Sequence, residues 1–237
     1  MADPNDTLMR EIKEEIERER LAALWKRYNG LIIGAVIALL TGVVGGQIWV
    51  NHARTTAEGA GERYDVALTD AAAKKLEPSL ATFSALAAEG PEGYAVLAGL
   101  QVAATHLEAG RSAEAIAAFE AVAKREKGDK LLTDYAALQA ATLRVGAADF
   151  TEIENRLKPL LGDDNAWRYG AREVLGLAAL GAGRTSEART SFETLLTDMA
   201  TPAGLRERAQ IVLSEIVAAS APPASPAAEP AKPAGTN

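Results

Sequence analysis

Catalysis needs nucleophiles, bases or metal ligands at workable spacing, and this chain offers few. It has no cysteine, which removes disulfides, thiolate nucleophiles and thiolate metal sites together. Its two histidines, His52 and His106, stand far apart with no motif around either. His52 borders a long apolar run. His106 falls on the apolar face of a repeat, where a packed imidazole is expected rather than a base. No phosphate-binding glycine loop, HExxH or GxSxG occurs. The adjacent carboxylates Asp163 and Asp164 come just before a helix predicted from Trp167, so they are read as capping groups favoured by the helix dipole. The expectation is no enzymatic turnover, no cofactor, no metal and no small-molecule substrate. Lysine and arginine number 25 against 32 acidic residues, a net charge of -7, and that field does not favour a nucleic-acid partner.

What must position any binding residues is a set of helices. The 237 residues, 48% hydrophobic, suffice for a membrane segment plus one domain with its own core. Residues 28–53 carry no formal charge. Their centre, 31–50, spans roughly 30 Å as a helix, the thickness of a hydrocarbon layer. Trp25 and Tyr28 lie at one edge and Trp49 at the other, where amphipathic rings favour the interfaces. A mixed-charge lead of 27 residues and the poor cleavage pattern at Thr55 and Ala57 argue against a removable signal. Arg10, Lys13, Arg18, Arg20, Lys26 and Arg27 precede the span, while Arg54 and Arg63 follow it. That bias predicts a cytoplasmic amino terminus, a single pass through a bacterial inner membrane, and a periplasmic remainder. Gly30, Gly34, Ala38, Gly42 and Gly46 recur every four residues and form a row where a second helix could pack closely.

Four regions result. Residues 1–27 form a cytoplasmic amphipathic helical stub, with Leu8, Ile12, Ile16, Leu24 and Tyr28 near helical spacing. Residues 28–53 form the anchor. Residues 54–219 form a repeat domain. There Ala109-Gly110-Arg111-Ser112-Ala113-Glu114-Ala115 returns 73 residues later as Ala182-Gly183-Arg184-Thr185-Ser186-Glu187-Ala188, followed at equal offset by Phe119 and Phe192. Half of 73 falls within the period of stacked two-helix units. Leu157 and Phe83 supply the intervening and preceding copies, so four units are expected. Each of the two clear copies joins two apolar helices through a left-handed glycine, Gly110 or Gly183, and a Ser or Thr, Ser112 or Thr185, that caps the second helix. Residues 203–219 read as a terminal capping helix, and 220–237, with five of the chain's ten prolines, as a disordered or extended tail.

The units resemble the tetratricopeptide repeat: Leu175-Gly176, Gly183, Ala188 and Phe192 sit at that family's spacing. Ala103 stands in the place of Gly176 in the earlier copy, and His106 and Ala179 replace an aromatic. The fold class is therefore all-α, a single transmembrane helix followed by a tetratricopeptide-like α-solenoid. The whole order of parts resembles the YfgM family: Arg18-Glu19-Arg20-Leu21, Trp25-Lys26-Arg27-Tyr28, one anchor, then degenerate units such as Ala171-Arg172-Glu173-Val174-Leu175. That resemblance implies an ancillary subunit of the SecYEG translocon, with periplasmic chaperones or unfolded clients as partners. A cell-envelope scaffold for wall or division machinery is the other reading, and a homo-oligomer is compatible with both. At repeat positions that usually line the concave face stand Tyr64, Leu68, Leu100, Leu107, Tyr135, Leu138, Leu177 and Leu180, the expected partner groove.

Overall fold

The computed structural model describes residues 4–220. The expectations placed on the Leu8, Ile12, Ile16 and Leu24 side chains, and on all but the first residue of segment 220–237, lie outside the described residues. Among the described residues there are nine α-helices and no strand: α1 (Pro4–Ala72), α2 (Leu76–Glu89), α3 (Glu92–Glu108), α4 (Ser112–Ala123), α5 (Lys130–Arg144), α6 (Phe150–Leu157), α7 (Arg168–Gly181), α8 (Thr185–Thr197) and α9 (Ala203–Ser220). The expected boundaries at 27/28 and 53/54 leave no mark on the backbone, because α1 is continuous through both. Contacts instead divide the chain into Met1–Gly59 and Ala60–Asn237.

In the first unit every described side chain from 15 to 56 is exposed. Leu31 is 72% exposed, Leu39 67% and Trp49 73%, so these apolar residues surround the helix and are uncovered among the described residues. One helical stretch, Ile33–Ala72, contains an 18-residue window, of mean hydropathy 1.9, that is long and apolar enough to cross a membrane. A methyl added at Gly30, Gly34, Gly42 or Gly46 would meet nothing within 4 Å, and Ala38 is exposed.

The second unit stacks four hairpins and a final helix. Each hairpin joins a first helix to a second: the end of α1 with α2, α3 with α4, α5 with α6, and α7 with α8. The turns hold the positive-φ residues found among the described residues, Lys74 (φ 60), Gly110 (φ 73), Gly146 (φ 86) and Gly183 (φ 72), at intervals of 36, 36 and 37 residues. Three of them share one hydrogen-bond pattern. The amides of Lys75, Arg111 and Arg184 donate to Asp70, His106 and Ala179, five residues back, while those of Lys74, Gly110 and Gly183 donate three back. This is a Schellman-type stop, which requires a left-handed residue. The same geometry corrects the capping expectation. Ser112 and Thr185 are the first helical residues, and Arg111 and Arg184 occupy the N-cap with no side-chain bond. Asp129 and Asp149 do cap, accepting from the Leu131 and Glu152 amides at 2.8 Å.

Phe83, Phe119, Leu157 and Phe192, one per unit, are all at most 4% exposed. Small residues face them seven positions before the turns in three units. Ala67 and Ala103 are fully buried, and a methyl at Gly176 would stand 2.8 Å from Phe192 Cε2. The core falls into three clusters. One centres on Phe83 with Tyr64 and Tyr94, a second on Phe119 between α3, α4 and α5, and the largest runs from α5 to α9.

Candidate functional site

The repeat period fixes where polar groups can join one hairpin to the next. The arginine after two of the left-handed glycines, Gly110 and Gly183, reaches back to the preceding second helix. Arg111 lies 3.0 Å from Glu77 of α2, and the Arg184 guanidinium sits 4.4 Å over the Phe150 ring of α6. Arg125 binds the Glu92 carboxylate at 2.9 Å and the Ala87 carbonyl at 3.0 Å. That hydrogen bond, with the guanidinium charge, holds the Glu92 carboxyl below its ordinary pKa and Arg125 above its own. Arg208 and Glu173 tie α9 to α7 at 2.6 Å, which raises Arg208. Glu120, Arg144, Glu152 and Arg156 form a four-member network across α4, α5 and α6, with contacts of 2.9–3.1 Å.

The eight groove residues separate into two groups. Leu68 (37% exposed), Leu107 (37%) and Leu177 (40%) offer apolar surface. Tyr64 instead packs into the first core, its ring 5.4 Å from Phe83 and 5.9 Å from Tyr94. Leu100 and Leu180 are half-buried against the second and third cores. Tyr135 is half-buried beside Trp167, ring centroids 5.1 Å apart. Leu138, 6% exposed, belongs to the largest core and presents no surface to a partner. Its helix is covered on both sides: Ala136 and Ala140 pack into the second cluster, Leu138 and Ala141 into the third. Two leucines outside the expected set are also accessible, Leu97 (38%) and Leu131 (51%). Leu97 lies three residues before Leu100 on α3, the helical spacing that could have found it.

The groups that chemistry would need are placed otherwise. His52 is exposed on α1, while His106 has a buried Nδ1 with no hydrogen-bond partner among the described residues. Neither Asp163 nor Asp164 caps α7; Asn165 Oδ1 accepts from the Trp167 amide at 2.8 Å. Among the described residues no three His, Asp or Glu side chains gather as metal ligands. Two clefts flank the third and fourth hairpins. One, of 510 Å³, lies between the turns and is lined by Asp149, Phe150, Ala178 and Arg184. The other, of 310 Å³, lies where α5 and α7 begin and is lined by Leu131, Asp134, Pro159 and Trp167.

A family model described as a tetratricopeptide repeat-like domain matches residues 23–218. No curated protein and no solved structure matches the chain. The matched span takes in the end of the charged lead, the apolar run, all four hairpins and nearly all of α9.

Proposed function

Because the chain belongs to the tetratricopeptide repeat-like domain family, we propose that it is a membrane-anchored protein-interaction module serving the Sec translocon as an ancillary subunit. Domains of this class generally mediate contacts between proteins and typically act as scaffolds rather than enzymes. The observation that carries the finer reading is the extent of the match. One family model runs through the apolar segment and the repeats together, which supports the likeness to the YfgM family, where an anchor and repeats occur in that order.

In this reading residues 1–27 stay in the cytoplasm, 28–53 cross the inner membrane, and the hairpins work in the periplasm. Six basic residues before the span and two after it favour that orientation. The row of Gly30, Gly34, Ala38, Gly42 and Gly46 would pack on a translocon helix, and Leu68, Leu107 and Leu177 would contact emerging polypeptides or chaperones. Photo-crosslinkers at Ala38 and at Leu177 of the full chain test both contacts. The expected adducts are translocon subunits from Ala38, lost in the Gly34→Leu/Gly42→Leu variant, and secretory polypeptides or periplasmic chaperones from Leu177. Recovery of wall-synthesis or division proteins alone from both positions would replace this reading with that of an envelope scaffold.

A further inference from the structure

The 310 Å³ cleft at the start of α5 and α7 has the chemistry of a proline-rich peptide site, and the chain carries such a peptide at its own end. Trp167 is locked in place there. Its indole N–H donates to the Leu131 carbonyl at 2.8 Å, and its ring lies 5.1 Å from that of Tyr135, tilted by 45°. With the polar handle satisfied inside the protein, the ring offers an incoming group only its apolar body. Pro159 and the 51%-exposed Leu131 extend this wall. The polar side holds one ion pair and one open carboxylate. Asp134 Oδ2 accepts from Lys130 Nζ and from the 7%-exposed Asn165, each at 2.7 Å, and Asp164 stands exposed beside them with no ion-pair partner among the described residues. A fixed indole face next to the open Asp164 carboxylate suits a polyproline II strand bearing one cation, because proline rings stack on such a face and the strand loses little entropy on docking.

Residues 221–237 contain two Pro-x-x-Pro stretches, Pro223-Ala224-Ser225-Pro226 and Pro230-Ala231-Lys232-Pro233. The second holds the segment's one basic residue. Reach also selects the second. Short connections make α8 reverse α7 and α9 reverse α8, so Ser220 ends beyond the far end of α7 from Trp167. From the Arg208–Glu173 ion pair, Ser220 lies about 18 Å along α9 and Trp167 about 9 Å back along α7. With about 10 Å between axes, the direct distance is roughly 29 Å. A polyproline strand rises about 3.1 Å per residue, so the ten steps from Ser220 to Pro230 cover about 31 Å, whereas the three to Pro223 cover about 9 Å. We propose that the Pro230-to-Pro233 stretch docks in this cleft of its own chain, with its proline rings on Trp167 and Leu131 and Lys232 beside Asp164.

The test places benzoylphenylalanine at Leu131 in the full chain in membranes, with a second chain carrying it at Leu177 as reference. Irradiation from position 131 is expected to give a monomer-sized product with an adduct between 228 and 235. The Pro230→Ser/Pro233→Ser variant, which leaves the helices untouched, is expected to reduce that product at least fivefold, and Lys232→Glu at least threefold. Any of four results would overturn the proposal: no adduct in the tail, an adduct the proline variant does not change, equal capture of the tail from position 177, or a dimer-sized product showing that the tail of a second copy fills the cleft.

Discussion

Four residues with positive φ set the repeat, and one of them is a lysine. A side chain in the left-handed region costs about 1–2 kcal/mol, which Gly110, Gly146 and Gly183 avoid and Lys74 does not. Lys74 has an ion pair with Glu108 in partial return, but the lysine side chain is 74% exposed and such pairs contribute about 0–1 kcal/mol. Lys74→Gly is therefore expected to stabilise the repeat unit by about 0.5–1 kcal/mol and Gly183→Ala to destabilise it by about 1 kcal/mol, both read from thermal melts of the full chain in detergent. Asp198 gives a pH prediction. Its carboxyl is held below the ordinary range first by the Ala200 amide, which donates at 2.9 Å, against an opposing effect of burial, and then by the Tyr169 hydroxyl with Arg168 and Arg172 nearby. A carboxyl lowered on folding stabilises the folded state above its unfolded pKa of about 3.9, and that contribution is lost as pH falls through the lower folded value. The melting-temperature gap between the native chain and Asp198→Asn is thus expected at pH 7 and should close as the pH is taken below 4. A gap that does not change with pH would mean the carboxyl does not titrate differently in the folded state.

At the scale of elements, close approach of paired helices decides which glycines matter. Gly176 of α7 faces Phe192 of α8, and an added methyl would stand 2.8 and 2.9 Å from its ring atoms. Gly93 of α3 has nothing within 4 Å of that position. Gly176→Ala is expected to destabilise by about 1–3 kcal/mol through overpacking, and Gly93→Ala to stabilise by roughly 0.5 kcal/mol; matched denaturant titrations distinguish the two. The same contrast explains what the sequence made legible. The four units could be counted because Phe83, Phe119, Leu157 and Phe192 each fill a core position, whatever else diverges. The first turn could not be seen as a copy of the others, because a lysine stands where they have glycine. By residue type, Ser112 and Thr185 are expected caps. Only the bonding pattern shows the preceding arginine amide already committed to the Schellman turn, which shifts the N-cap to that arginine. The partner surface was half legible for a related reason. Leu138 and Leu177 look alike as first-helix leucines, but α5 lies between two cores and α7 leaves Leu177 in the open. Helical period says which residues share a stripe; neighbours on both sides decide whether that stripe is surface.

For the whole molecule, the apolar segment constrains more than any single contact. A helix with Leu31, Leu39 and Trp49 exposed on every side cannot be a core element of its own chain, so lipid or a partner must cover it. The family match runs without interruption from residue 23 to 218, through this segment and the hairpins alike. Under the proposed function, the excess of basic residues before the segment predicts that the repeats lie on the side opposite the cytoplasm. The absence of cysteine makes this directly measurable, because single cysteines introduced at Thr7 and at the exposed Ser214 would be the only thiols present. In spheroplasts of a bacterial host, a membrane-impermeant maleimide is expected to label Ser214→Cys at once and Thr7→Cys only after the membrane is opened. The reverse pattern would place the repeats in the cytoplasm, where Leu68, Leu107 and Leu177 could meet no exported polypeptide after translocation. Labelling of both sites in intact spheroplasts would show that the segment does not cross at all. Neutralising Arg18, Arg20, Lys26 and Arg27 together tests the cause: if basic residues before the span hold the amino terminus inside, a fraction of this variant should expose Thr7→Cys, while a chain held only by the folding of its repeats should not change.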